Sequence, residues 1–74
     1  MAGVVLRIRL IGGEHLDVSY EDPGVTDKNE LVANALTILA EDSGTLRTRH
    51  GDRLVVIYGR GVAAVEVAPR GAVL

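Results

Sequence analysis

Two His-x-Asp pairs are the first residues in this 74-residue chain with the makings of chemistry: His15-x-Asp17 and His50-x-Asp52. Residues i and i+2 of a strand share a face, so each pair offers an imidazole and a carboxylate to one metal ion. Both pairs lie in or beside a predicted hairpin turn, where His and Asp are ordinary, and no metal is expected at either. A nucleophilic triad needs a Ser, Cys or Thr held by a His and oriented by an acid. There is no Cys, and neither Ser19 nor Ser43 sits in a Gly-x-Ser-x-Gly setting. Glu41-Asp42 is a carboxylate pair at a predicted helix end, where solvated acids are common. Gly59-x-Gly61 is a fragment of a phosphate-loop pattern, but it opens a strand rather than a helix. No catalytic, cofactor-binding or metal-ligating residue is therefore assigned, and a domain this small has little room for a deep pocket. The chain is expected not to be an enzyme.

The elements that position these residues follow from hydrophobic rhythm. Residues 4–11 (VVLRIRLI) and 15–20 (HLDVSY) alternate with the period of half-buried strands. Gly12-Gly13-Glu14 separates them, so they form a hairpin. Pairing Leu10 with Leu16, Ile8 with Val18 and Leu6 with Tyr20 puts all six on one side. It also sets Arg9 opposite Asp17. That register needs a three-residue loop with a glycine in the left-handed conformation. Pro23-Gly24 marks the next loop. Asp27, with Glu30 three residues on, has capping-box spacing, and Thr26 is a rival cap. Leu31, Ala35, Ile38 and Leu39 form a helical stripe, widened by Val32 and Leu36. The spacing predicts a helix over about 27–42, stopped by Gly44.

Residues 45–49 (TLRTR) alternate again, and Gly51-Asp52 turns the chain. Residues 53–58 (RLVVIY) are nearly all apolar, which predicts a central strand covered on both sides. Residues 62–68 (VAAVEVA) follow the Gly59-Arg60-Gly61 turn. They are expected to pair with 53–58, matching Tyr58 with Ala63, Val56 with Val65 and Leu54 with Val67. The preceding hairpin is expected to match Leu46 with Val56 and Thr48 with Leu54. Pro69 ends the sheet. The fold class is α+β, in the order ββαβββ, with one antiparallel or mixed sheet and a single helix on one face. Residues 1–68 form the domain and 69–74 a flexible tail. The predicted core is the helix stripe with Leu6, Ile8, Leu10, Leu16, Val18, Tyr20, Leu46, Leu54, Val56, Tyr58, Val65 and Val67.

The opposite face is then uncovered. It is expected to carry Val55, Ile57, Val62 and Ala64 as one apolar patch, and such patches mark interfaces. Through it the protein is expected to form a homodimer or dock a protein partner. Arg7, Arg9, Arg47 and Arg49 also point outward. If the first and third strands are neighbours, they gather, and with Arg60 they are candidate anion or RNA contacts. Nucleic acid is not favoured, because no outward aromatic is expected beside them to stack on bases.

Composition agrees with a small globular domain. The net charge is −2, so no overall field draws polyanions. The absence of Cys excludes disulfides, and Phe and Trp are absent, so the core is aliphatic. No apolar run is long enough to span a membrane. The first residues lack a signal-peptide layout, and a cytoplasmic location is expected. A core of this size supplies no more than about 3–5 kcal/mol, which leaves self-association as an added source of stability. Arg outnumbers Lys seven to one, which suits a GC-rich source.

Three resemblances attach to these strings. The run from Ile8 to Val18, Leu31 to Leu39, Leu46 to Asp52, and then Val62-Ala63-Ala64-Val65-Glu66 resembles a class of small uncharacterised ββαβββ proteins of actinobacteria and their phages. It implies an accessory or binding role without a cofactor. Residues 58–69 (YGRGVAAVEVAP) look like the final motif of bacterial Sm-like RNA chaperones, which implies RNA contact by Tyr58 and Arg60. Sm folds place the helix before all five strands, whereas a hairpin precedes it here. The order of elements is also similar to ubiquitin-like β-grasp domains, but the chain lacks a terminal Gly-Gly.

Overall fold

The computed structural model describes residues 2–74, in which five strands form one open sheet and a single helix covers one side. In chain order these are β1 (Ala2–Leu10), β2 (His15–Asp22), α1 (Lys28–Leu39), β3 (Thr45–His50), β4 (Arg53–Tyr58) and β5 (Val62–Val67). The sheet order is β4-β3-β2-β1-β5, and every neighbouring pair is antiparallel. The ββαβββ α+β fold read from the sequence is therefore the one formed.

The first hairpin keeps its predicted faces but slips by two residues. Leu6 pairs with Val18, Ile8 with Leu16 and Arg7 with Asp17. The loop keeps the expected three residues but moves to Ile11–Gly13, closed by Leu10 N donating to Glu14 O at 2.8 Å and Gly13 N donating to Leu10 O at 3.0 Å. Gly13 has the positive φ, 96°, that the turn requires. A shift of two residues preserves the side of every side chain, so Leu6, Ile8 and Val18 are fully buried.

The helix starts as predicted. The Asp27 carboxylate accepts from Asn29 N at 2.9 Å and satisfies one of the free N–H groups of the first turn. It ends earlier than the expected residue 42, with Ala40 as the cap. The cause is a close backbone junction. A Cβ at Gly44 would overlap the Ile38 carbonyl, and one at Gly59 would overlap the Glu41 and Leu39 carbonyls. Gly59 N also donates to Gly44 O at 2.9 Å. The helix end, the start of β3 and the end of β4 therefore meet backbone to backbone. Gly59 is explained by that packing.

Leu31, Ala35 and Leu39 press onto the sheet. The main cluster joins Leu6, Ile8, Val18, Ala35, Leu39, Leu46 and Ile57, and a smaller one joins Ala2, Val25 and Leu31.

Two expectations about the last three strands are overturned. First, β4 is an edge strand, not a central one, and it does not pair with β5. A short 3-10 turn, Gly59–Gly61, sends the chain to the far edge, where Ile8 pairs with Val65 and Leu6 with Val67. Ile11 N donating to Gly61 O at 3.0 Å anchors that crossing. Second, the β3–β4 register is one residue away from the expected one: Leu46 pairs with Ile57, Thr48 with Val55 and His50 with Arg53. The loop is thus Gly51-Asp52 alone, with Gly51 at φ 64° in the first central position, as a type II′ turn needs. A one-residue slip turns every side chain to the other face.

Candidate interaction face

The register of β4 decides which residues the sheet presents. Ile57, expected outside, is 6% exposed and belongs to the core beneath the helix. Val55 and Val62 are half-buried and pack against the same cluster. A bulge between Arg9 and Leu10, where β1 meets β5, turns Val62 inward opposite Leu10. Of the expected patch, only Ala64 lies on the open face and exposed. The predicted interface of Val55, Ile57, Val62 and Ala64 therefore does not assemble. In its place stand Leu54, Val56 and Tyr58, expected in the core and found 57%, 37% and 50% exposed. They share the open face of the edge strand, opposite Arg49, Arg47 and Thr45 of β3.

The arginines are divided for the same topological reason. Because β2 lies between β1 and β3, Arg7 and Arg9 do not meet Arg47 and Arg49. Arg7 clamps Asp17, with Nε donating to Oδ1 at 2.7 Å and Nη2 to Oδ2 at 3.0 Å. Arg9 Nε donates to Glu66 Oε1 at 2.7 Å, and Arg7 Nη1 lies 3.9 Å from Glu66 Oε2. Arg7 and Arg9 are thus neutralised within an ion-pair ladder across β2, β1 and β5. The Arg7 guanidinium and the Val73 N–H together hold the Asp17 carboxyl down at about 2.

Among the described residues, Arg47, Arg49, Arg53 and Arg60 form no ion pair. The Arg60 guanidinium lies 5.1 Å from the centre of the Tyr58 ring, within cation–π range. An outward aromatic thus accompanies the arginines after all, which the expected register hid.

The seam between β2 and β3 is narrow. Only Ser19 and Arg49 pair across it, reinforced by the Ser19 hydroxyl donating to Arg49 O at 3.4 Å. His50 Nδ1 lies 2.7 Å from Asp17 O nearby. A notch of about 220 Å³ opens beside this seam, lined by Ser19, Glu21, Arg47, Arg49 and Leu54. A larger groove of about 620 Å³ lies between β1, α1 and the chain after β5, lined by Val4, Val5, Val32, Val67 and Pro69 among others.

Residues 69–74, expected to be a flexible tail, lead onto the open face on the ion-pair side. Val73 N donates to Asp17 Oδ2 at 3.0 Å, and Leu74 passes beside Gly51. Of the two His-x-Asp pairs, Asp17 is occupied by Arg7 and Val73 and His50 Nδ1 lies against Asp17 O; among the described residues no three metal-ligating side chains converge. Among the described residues, no helix is long and apolar enough to cross a membrane. Comparison with protein-family models, with curated proteins and with solved structures finds no match.

The sequence reading missed Leu54, Val56 and Tyr58 as surface residues. The signal that finds them is the length of the Gly51-Asp52 turn. A two-residue loop fixes the faces of β4, whereas hydrophobicity along RLVVIY is the same in either register.

Proposed function

We propose that the protein is a small non-enzymatic interaction module that docks a protein partner through the open face and free edge of β4. The observation that carries this reading is the row Leu54, Val56 and Tyr58 on an unpaired edge strand. An exposed apolar edge is a template for another chain, and a domain with no need of it would blunt it with charge, proline or a covering segment. Here the covering segment lies over the other half of the face.

The test is capture from the native host with three baits: the unaltered protein, Val56→Glu and Ile11→Glu. Ile11 is 71% exposed in the first hairpin loop, so its replacement controls for a generic loss of surface apolarity. A partner lost with Val56→Glu and kept with Ile11→Glu supports the docking face. An identical set of captured proteins for all three removes it.

A second reading is favoured by the Tyr58–Arg60 stack beside Arg47 and Arg49. Stacking and guanidinium groups together suit single-stranded RNA. Binding of a short oligouridine that weakens steeply with salt and disappears in Tyr58→Ala supports it. No retention at low salt ends it.

A further inference from the structure

We infer that the occupant of this face is an extended, acidic segment of a partner protein, added to the sheet as a sixth strand beside β4. This rests on the docking reading and specifies its partner. Gly59 N donates to Gly44 O, so these two residues form a hydrogen-bonded pair just beyond the β3–β4 ladder. Antiparallel ladders alternate, so Leu46/Ile57, Thr48/Val55 and His50/Arg53 are the bonded pairs within it. The N–H and C=O groups of Leu54, Val56 and Tyr58 therefore point away from β3, toward the open edge. The same three residues carry the exposed apolar side chains. Backbone pairing and side-chain contact for an incoming strand thus come from one set of residues, which is the arrangement strand addition uses.

Charge selects the strand. Arg53 opens β4, Arg60 lies two residues past its end in the 3-10 turn, and Arg47 and Arg49 lie one strand inboard. Among the described residues these four have no carboxylate within ion-pair distance. Glu21 in the notch, Asp52 in the turn and Glu41, whose carbonyl abuts Gly59, are the nearby acids. A second copy of this chain would bring four more arginines to the seam, more than these acids can offset. An acidic chain would neutralise them, with apolar residues between the acids to lie along Leu54, Val56 and Tyr58.

The probe is a fluorescein-labelled synthetic peptide alternating Val and Glu, compared with its Lys-for-Glu counterpart by fluorescence anisotropy. The acidic peptide is expected to bind, and more weakly as salt rises, while the lysine peptide does not bind. Val56→Pro removes one edge-facing donor and no β3 bond, so the fold survives, and binding is expected to fall about tenfold or more. Should that variant unfold, an acidic peptide N-methylated on alternate residues, in both frames, tests the same hydrogen bonds on the unaltered protein; at least one frame must lose binding. Equal binding of the lysine peptide overturns the inference. So does undiminished binding by folded Val56→Pro or by both methylated peptides, a homodimer built through Val56, or displacement of the acidic peptide by stoichiometric oligouridine. If the peptide fails while Val56→Glu still abolishes capture of a host protein, the docking face stands and only strand addition falls.

Discussion

Arg7 and Asp17 face each other across β1 and β2 as a two-pronged ion pair, at 2.7 Å and 3.0 Å, and Val73 N donates to the same carboxylate. Asp17 is nearly buried, so it gains the geometry of a fork-on-carboxylate contact with little water to compete. The pair also fixes the character of the open face. It ties β1, β2 and the chain end into a neutralised half and leaves the β3–β4 half apolar and basic.

Only strong acid should loosen this junction. The Asp17 carboxyl titrates at about 2 in the folded chain, against an ordinary value of 3.8. Its depressed value means that the folded state holds fewer protons than the unfolded one. The stabilisation is present in full above about pH 4 and is lost as the pH falls toward 2. Carboxyl chemical shifts recorded by NMR against pH should give a midpoint near 2, rising toward the ordinary value in Arg7→Gln. A midpoint near 4 in the unaltered protein would mean that the clamp does not form in solution.

The face assignment of β4 has a direct thermodynamic signature. Ile57→Ala should cost about 2–5 kcal/mol, as for other buried aliphatics. Val56→Ala should stay within about 0.5–1 kcal/mol, because Val56 packs against no covering element. Urea denaturation of both variants decides between the two registers. The reverse order of costs would place Val56 in the core.

The glycine junction predicts a second asymmetry. Gly59→Ala must displace the Glu41 and Leu39 carbonyls and should destabilise by about 1–3 kcal/mol or more. Gly61→Ala meets nothing within 4 Å and should be close to neutral. Thermal melts of the pair, with equal losses, would contradict the close approach of β4 to the helix end.

Asp27→Ala removes the carboxylate that accepts from Asn29 N and should cost about 1 kcal/mol. Asp27→Asn or Asp27→Ser should recover most of it, since each keeps an acceptor at the cap. Amide exchange of the first helical turn, faster in the alanine variant alone, checks the mechanism.

The amino-acid sequence by itself determined the elements and most of their faces. Alternation in β1 and β2, the Asp27 cap and the Leu31/Ala35/Leu39 stripe are local patterns, and each side chain they sorted inward is buried or packed against the core. The sequence also placed Arg47 and Arg49 outward, because Leu46 and Thr48 alternate with them whatever strand lies alongside.

Tertiary structure alone decided the face of β4 and the neighbour of β5. In Leu54-Val55-Val56-Ile57-Tyr58 every residue is apolar enough to be buried, so periodicity carries no information there, and a turn one residue shorter reverses the result. The partner of β5 is a long-range choice, made by the Gly59–Gly44 junction and the Ile11–Gly61 hydrogen bond between segments far apart in the chain. That choice left β4 on the edge and kept Arg7 and Arg9 apart from Arg47 and Arg49. No pattern within a single strand records which strand will lie beside it, because the same backbone groups can pair with any extended neighbour.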